Sequence, residues 1–136
     1  MKQLTDRQKA KIVDALKNIE LPSSFTYTMH KPEAVVYDLM FYILTYNVPL
    51  KPYRPEWRWS KVVGYRLRGS NIVYYNVYKQ SDEAALLGLV CHECLHILQY
   101  GHGGNAIHWW NIKRKMQSAN YYIGGAVKEY IRRNDG

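Results

Sequence analysis

The chain has 136 residues, of which 47% are apolar, and this composition is that of a globular protein with one core over residues 1–136 rather than two domains. The net charge of +8 indicates an acidic partner, such as nucleic acid or an anionic surface, and says nothing about the fold. The first residues lack the apolar run of a signal peptide and no segment approaches membrane-spanning length, so we expect a cytoplasmic protein without membrane contact.

Two helices are predicted in the first third of the chain. Residues 6–19 form the first, because apolar side chains recur at helical spacing and Thr5 or Asp6 can cap its start. Residues 32–46 form the second, in which Pro32 suits the first turn. Its apolar side chains lie almost all round the helix, which predicts a buried element.

The middle of the chain predicts a β-hairpin. Residues 48–58 contain three prolines, which predicts irregular structure there. Residues 59–67 and 71–78 are rich in β-branched and aromatic side chains, and the Arg-Gly-Ser sequence at residues 68–70 is a turn signal. We therefore expect an α+β fold, mostly helical, with a small antiparallel sheet packed on the helix that follows.

A third helix is predicted over residues 82–100, with Ser81 as its N-cap and Gly101 as its stop. A glycine-rich loop comes next. A last helical stretch then runs from about residue 108 to residue 133, with a weak point at the glycine pair 124–125.

The third helix carries a His-Glu-x-x-His pattern at residues 92–96. His92 and His96 lie one turn apart on the same face, so two neutral imidazoles can bind one Zn²⁺ from one side. Glu93 is then placed to act as the general base on water at that metal. The pattern is short enough to arise by chance, so its neighbourhood decides how it is interpreted.

The neighbourhood favours a metal site, because four of the five histidines fall within residues 92–108. Catalytic zinc takes three protein ligands and keeps one position open. His102, His108 and Glu129 compete for the third position. We favour His102, because Gly101 before it supplies the reversal that a short return to the helix needs.

The two cysteines, Cys91 and Cys94, fall on the helix side opposite the histidines at about 100° per residue. We interpret them as buried thiols of the core. The alternative is a structural zinc site made by both cysteines with His102 and His108, which requires the cysteines to leave the core face.

Basic and aromatic side chains alternate over residues 51–68. Cations for phosphates and rings for stacking are typical of a surface that binds single-stranded DNA or another nucleic acid. The alternative is a solvated basic face over a small aromatic core. A second basic run, residues 113–115, is interpreted as a solvated helix face.

The order of elements and the histidine pattern resemble the zincin metallopeptidases, and among them the small SprT-like proteases. The similar features are the pattern at residues 92–96, His102 after a short connection, and the aromatic pair at residues 109–110. Residues 110–112 are also similar to a group of uncharacterised bacterial metallopeptidases. The resemblance covers about residues 59–123.

This resemblance implies a minimal zincin fold and a zinc-dependent peptidase. His92, His96 and His102 would hold Zn²⁺, Glu93 would be the catalytic base, and a protein or peptide substrate would add as a strand beside residues 71–78. The second function class is a non-catalytic protein, nucleic-acid-binding or part of an assembly, that keeps the zincin scaffold. Oligomeric state and natural substrate stay open.

Some features depart from the family patterns. No cysteine follows Cys94, so a C-terminal zinc ribbon is missing. A metzincin has glycine where this chain has Gln99, and a gluzincin uses a downstream glutamate, for which Glu129 is the candidate. Peptide hydrolysis also needs an oxyanion stabiliser. The candidates for that role are His108, Tyr121 and Tyr122.

Overall fold

The computed structural model of the chain describes residues 2–56, 64–67, 69–80, 82–102 and 112–135. In these ranges the elements are β1 (Lys2–Gln3), α1 (Asp6–Asn18), α2 (Pro32–Thr45), β2 (Pro49–Tyr53), β3 (Gly64–Tyr65), β4 (Val73–Asn76), α3 (Glu83–Ile97), α4 (Ile112–Met116) and α5 (Ala119–Asp135). The predicted α+β class with a largely helical chain is confirmed.

Helix α1 begins as its sequence predicts. The Thr5 hydroxyl accepts a hydrogen bond from the Gln8 amide at 3.1 Å, and the Gln8 side chain accepts one from the Thr5 amide at 3.0 Å. This reciprocal capping box satisfies two amides that would otherwise lack partners at the helix start.

Helix α2 is buried on one face only. Val35, Leu39 and Ile43 lie in the core. The side chains of Tyr37, Phe41 and Leu44 are more than half exposed. The predicted all-round burial is wrong, because an apolar pattern does not reveal that α1 and α3 pack against one side of α2.

The strands form one sheet in the order β1-β2-β4-β3. The predicted hairpin is present as antiparallel β3 and β4, with Tyr65 opposite Tyr74, although residues 57–63 lie outside the described ranges. Strand β2 runs parallel to β4, so the sheet is mixed rather than antiparallel. Because β4 has neighbours on both sides, residues 71–78 do not provide the free edge that the zincin resemblance implied.

Strand β2 contains Pro49 and Pro52, although residues 48–58 were expected to be irregular. The Tyr53 carbonyl accepts a hydrogen bond from the Val77 amide on the β4 side at 3.1 Å. Successive residues direct their backbone groups to opposite sides, so the Pro52 nitrogen faces the β1 side, beyond the end of that two-residue strand. Its missing N–H removes no bond to β1, and Pro49 opens the strand, so proline is tolerated at both positions.

Helix α3 makes its most extensive contact with α5, and two glycines allow it. A methyl group added at Gly88 would lie 2.6 Å from the carbonyl oxygen of Gly124. The predicted weak point at residues 124–125 is wrong, since α5 passes through it unbroken and the last helical stretch is interrupted earlier, at residues 117–118. Glycine is retained here for close helix approach rather than for chain flexibility.

The sheet also packs on α3. A methyl group at Gly64 of β3 would lie 2.6 Å from a Leu89 methyl of α3. Buried side chains from α1, α2, α3, α5 and the strands belong to one apolar cluster. Within the described ranges, none of the helices combines the length and the apolar character needed to cross a membrane.

Candidate metal centre

The start of α3 is held by Asp82 rather than by Ser81, which lies outside the described residues. The Asp82 carboxylate accepts a hydrogen bond from the Ala85 amide at 3.0 Å. Arg132 of α5 donates two more, each at 3.0 Å, and these bonds lower the pKa of Asp82. The same carboxylate therefore caps α3 and ties it to α5.

The end of α3 reverses at Gln99, not at Gly101 as the sequence predicted. Gln99 has a positive φ of 71°, and Gly101 does not. The Tyr100 amide donates to the Leu95 carbonyl at 2.9 Å, and the Gln99 amide donates to the His96 carbonyl at 2.9 Å. This pair of bonds is the Schellman arrangement, in which the position usually taken by glycine is occupied here by glutamine.

This reversal brings His102 back to His92 and His96. One ring nitrogen from each of the three lies within 4.8 Å of the other two. The ring centroids are 5.1 Å apart for His92 and His96, 5.3 Å for His92 and His102, and 4.6 Å for His96 and His102. The predicted ligands thus lie together, near enough to share one metal ion.

The other two candidates for third ligand are not part of this cluster as described. Glu129 is exposed on α5 and does not join the histidine group. His108 lies outside the described residues.

The imidazoles are held in the form that binds metals. Burial, followed by the neighbouring histidines, lowers the pKa of His92 to about 3 and that of His96 to about 4. Both side chains are therefore neutral at pH 7 and keep a nitrogen lone pair for coordination. Two neutral imidazoles, with His102 beside them, fit the donor set of a metal site.

Asn120 of α5 holds His92 in place and was missed by the sequence analysis. Its buried side-chain amide donates to the His92 carbonyl at 3.1 Å. A hydrogen bond between the His92 imidazole and the Asn120 backbone raises the pKa of His92, against the larger effect of burial. The sequence gives only a weak signal for this role of Asn120, which is one polar residue in the apolar stripe that contains Ile123 and Val127.

Glu93 lies next to the histidines in an apolar environment. Its carboxylate oxygen is 3.9 Å from Nε2 of His92, and only 7% of the residue is exposed. Burial raises the pKa of Glu93 to about 7, while the Arg66 guanidinium acts in the opposite direction. A carboxyl group with this pKa can both accept and release a proton near neutral pH.

Of the three oxyanion candidates, the described structure brings Tyr121 to the site. Its ring centroid is 4.7 Å from that of His92 and 5.0 Å from that of His102. Tyr122 points away, with its hydroxyl donating to the Glu20 carbonyl at 2.8 Å. Burial, and then the nearby Glu93 charge, raise the pKa of the Tyr121 phenol, so it keeps its proton at pH 7.

A cleft of about 560 Å³ opens beside His92 and Glu93, between α3 and α5. Its walls combine small, apolar and basic residues. They are Gly64, Lys79, Gln80, Ala85, Gly88, Leu89, Met116, Asn120, Tyr121, Gly124, Gly125 and Lys128, in addition to His92 and Glu93. A ligand in this cleft can therefore contact His92 and Glu93.

The cysteines lie in the core, as predicted. Cys91 and Cys94 have no exposed surface, and burial raises the pKa of Cys91 to about 12 and that of Cys94 well above its ordinary value. The alternative zinc site with His102 is not supported, because His102 lies with His92 and His96 instead.

The basic and aromatic stretch is only partly described, because residues 57–63 and 68 fall outside the ranges given above. In the described part, Tyr65 stacks on Tyr74 at 4.6 Å and meets Tyr53 edge-on at 5.2 Å. These rings form the small aromatic cluster that was the alternative interpretation. Binding of nucleic acid stays a prediction.

The second basic run is not uniformly solvated. Lys115 is buried, and its ammonium group lies 5.8 Å from the Tyr121 ring centroid. The Arg114 guanidinium lies 4.9 Å from the Tyr27 ring centroid. The interpretation of residues 113–115 as a solvated face is therefore wrong for Lys115.

Comparisons with models of protein families, with curated proteins and with solved structures found no match. The zincin resemblance therefore rests on the residues of this chain and on the histidine cluster they form.

Proposed function

We propose that this protein is a zinc-dependent peptidase that hydrolyses peptide bonds with Glu93 as general base. The observation that carries the proposal is the convergence of His92, His96 and His102 within 4.8 Å, beside a buried carboxylate and an open cleft. A site that only binds metal for structure is closed by a fourth protein ligand. No fourth His, Cys, Asp or Glu joins this group among the described residues.

In the proposed mechanism His92, His96 and His102 would hold the ion, and His92 also lines the cleft. Zinc, when bound, supplies a Lewis acid that activates water and polarises the scissile carbonyl. Glu93 accepts the proton of that water at its carboxylate and later delivers it to the leaving amine. Its buried position favours this exchange because the carboxyl pKa, about 7, is close to neutral pH.

Tyr121 is the proposed oxyanion stabiliser. Its phenol keeps its proton, and its ring lies against two of the three histidines. A protonated phenol beside two of the three histidines could donate a hydrogen bond to the negative charge that develops on the substrate oxygen.

Metal analysis and one isosteric variant test the proposal. Purified protein refolded with zinc should contain about one Zn²⁺ per chain, and His92→Ala and His96→Ala should lose it, since each removes one of three ligands. Glu93→Gln should keep zinc and the folded structure but lose more than about 100-fold in the hydrolysis of a quenched fluorescent peptide library.

Two results would contradict the proposal. Wild-type protein that binds no zinc has no centre for this reaction. A Glu93→Gln variant that cleaves as fast as the wild type has no general base at position 93.

A further inference from the structure

We propose that the cleft between α3 and α5 binds a carboxylate of the substrate through Lys79 and Lys128, so that acidic peptides are the preferred substrates. This inference deepens, and rests on, the proposed peptidase function. It is drawn from the position and the charges of the cleft.

The cleft continues directly from the proposed reaction centre. Gly88 lies four residues, or about one helical turn, before His92 on α3, which is about 6 Å along the helix axis. The Cβ of Lys128 lies 3.0 Å from the position of a methyl group added at Gly88. The stem of Lys128 therefore starts about one turn from His92, within reach of a side chain near the scissile bond of an extended peptide.

The two lysines come from different elements that line the cleft. Lys128 belongs to α5, while Lys79 belongs to the turn between β4 and α3, where its amide donates to the Asn76 carbonyl at 3.0 Å. In the cleft the helices meet through Gly88 and Gly124, which have no side chains to fill the space. A ligand lying over these glycines would share the cleft with both lysines.

The positive charge of the cleft is not neutralised by its own lining. Glu93, next to the histidines, is the one carboxyl group among the described lining residues. Asp82 interacts electrostatically with Lys128, but its two oxygens are already bonded to Arg132. Neither lining lysine forms a salt bridge within the described part of the chain.

A carboxylate is the group of a peptide that complements these cations. It comes either from an internal Glu or Asp side chain or from the free C-terminus of the substrate. The apolar walls at Ala85 and Leu89 suit the methylene carbons that precede such a group. A basic side chain in the same place would face like charges and be disfavoured.

Binding of four labelled peptides to zinc-loaded Glu93→Gln protein tests the inference without consuming the peptides. The peptides share one sequence and carry either internal Glu or internal Gln, each with a free or an amidated C-terminus. Fluorescence anisotropy should show the internal-Glu peptide, or the free C-terminus, binding roughly 3- to 10-fold tighter than its neutral counterpart, as two partly exposed charge pairs allow. The arm that shows the preference identifies the source of the carboxylate.

The lysine variants assign the preference to the cleft. Lys79→Gln with Lys128→Gln keeps most of both stems and should abolish the preference. The control, Lys17→Gln with Lys31→Gln, removes the same charge from exposed positions outside the cleft and should retain it. The inference is overturned if the preference survives in Lys79→Gln with Lys128→Gln, if all four peptides bind equally, or if none of them binds. It is also overturned if the two lysines bind single-stranded DNA while the protein does not discriminate between the peptides.

The two proposals fail in different ways. Acid-selective binding without hydrolysis would leave the cleft assignment standing and remove the peptidase function. If the wild type hydrolyses peptides whatever their charge, the peptidase function stands and the cleft assignment falls.

Discussion

At the scale of single residues, the candidate centre combines side chains that are close to one another in the sequence with side chains that are far apart in it. His92 and His96 are brought together by one helical turn, whereas His102 needs the reversal at Gln99. Asn120 reaches His92 from α5, which has no local relation to the motif. These contributions can be separated by measuring zinc affinity and stability in the same variants.

The third ligand is tested by His102→Ala. We expect zinc affinity to fall by at least about 100-fold, because a three-ligand site loses one of its bonds. Competition with a chromogenic chelator measures the affinity. Glu129→Ala, at an exposed position on α5, should stay within about twofold of wild type. If Glu129→Ala lowers zinc affinity more than His102→Ala does, Glu129 is the third ligand, as in a gluzincin.

Asn120 is expected to position His92 rather than to bind metal. Asn120→Asp keeps the size of the side chain but removes the donor to the His92 carbonyl, so zinc affinity should fall about 10-fold or more. Ser118→Ala is the matched control, because Ser118 is also buried beside the start of α5 but bonds Lys115 instead. If both variants lose stability and neither changes zinc affinity, Asn120 has only a structural role.

At the scale of elements, the junction after α3 determines whether the third histidine reaches the other two. Gln99 occupies a left-handed conformation that glycine adopts at little cost. The metzincin pattern has glycine at this position, and the structure shows the backbone conformation that such a glycine would serve. The sequence analysis assigned the reversal to Gly101 because glutamine carries no signal for a positive φ.

Gln99→Gly should therefore stabilise the protein by roughly 0.5–1 kcal/mol, since it relieves the left-handed strain while the Schellman bonds remain. Urea unfolding measures this difference. Gly101→Ala is the control and should be neutral or slightly stabilising, because Gly101 has no positive φ and no atom within 4 Å of an added methyl. If Gly101→Ala destabilises the protein and Gln99→Gly does not change its stability, the chain reverses at Gly101 rather than at Gln99.

At the scale of the whole molecule, the stability of the metal-free protein should depend on pH through the buried centre. The pKa values of His92 and His96, about 3 and 4, lie below the ordinary 6.5, so the unfolded chain binds more protons as the pH falls below 6.5. Stability is then lost on acidification. Glu93 acts the other way between pH 4.5 and 7, because its pKa is raised to about 7.

Two imidazoles outweigh one carboxyl group, so we expect a net loss between pH 6.5 and 4.5 of the order of 1 kcal/mol per pH unit, reduced by the partial exposure of His96. Urea unfolding in the presence of a chelator measures it. Glu93→Gln removes the opposing group and should make the loss steeper, whereas His92→Asn with His96→Asn leaves Glu93 unopposed and should abolish or reverse it. Equal slopes in all three proteins would contradict these pKa shifts.

Local features of the chain were predictable to a large extent. The bounds of α1 and α2 follow from the capping signal at Thr5 and from Pro32, and the hairpin of β3 and β4 follows from neighbouring β-rich segments. The face shared by His92 and His96 and the burial of Cys91 follow from helical periodicity alone. Each of these depends on residues close together in the chain.

Non-local features depended on the tertiary structure. Parallel pairing of β2 with β4 makes a strand of a proline-containing segment, and this pairing has no local signal. The neighbours of α2 determine which of its apolar faces is exposed, and the packing of α5 on Gly88 places Asn120, Tyr121 and Lys128 around the centre. The sequence by itself determined most of the helices and the spacing of the histidine pattern, because periodicity and capping act within a few residues. The tertiary structure alone decided what surrounds that pattern, because those contacts join segments whose packing depends on the whole fold.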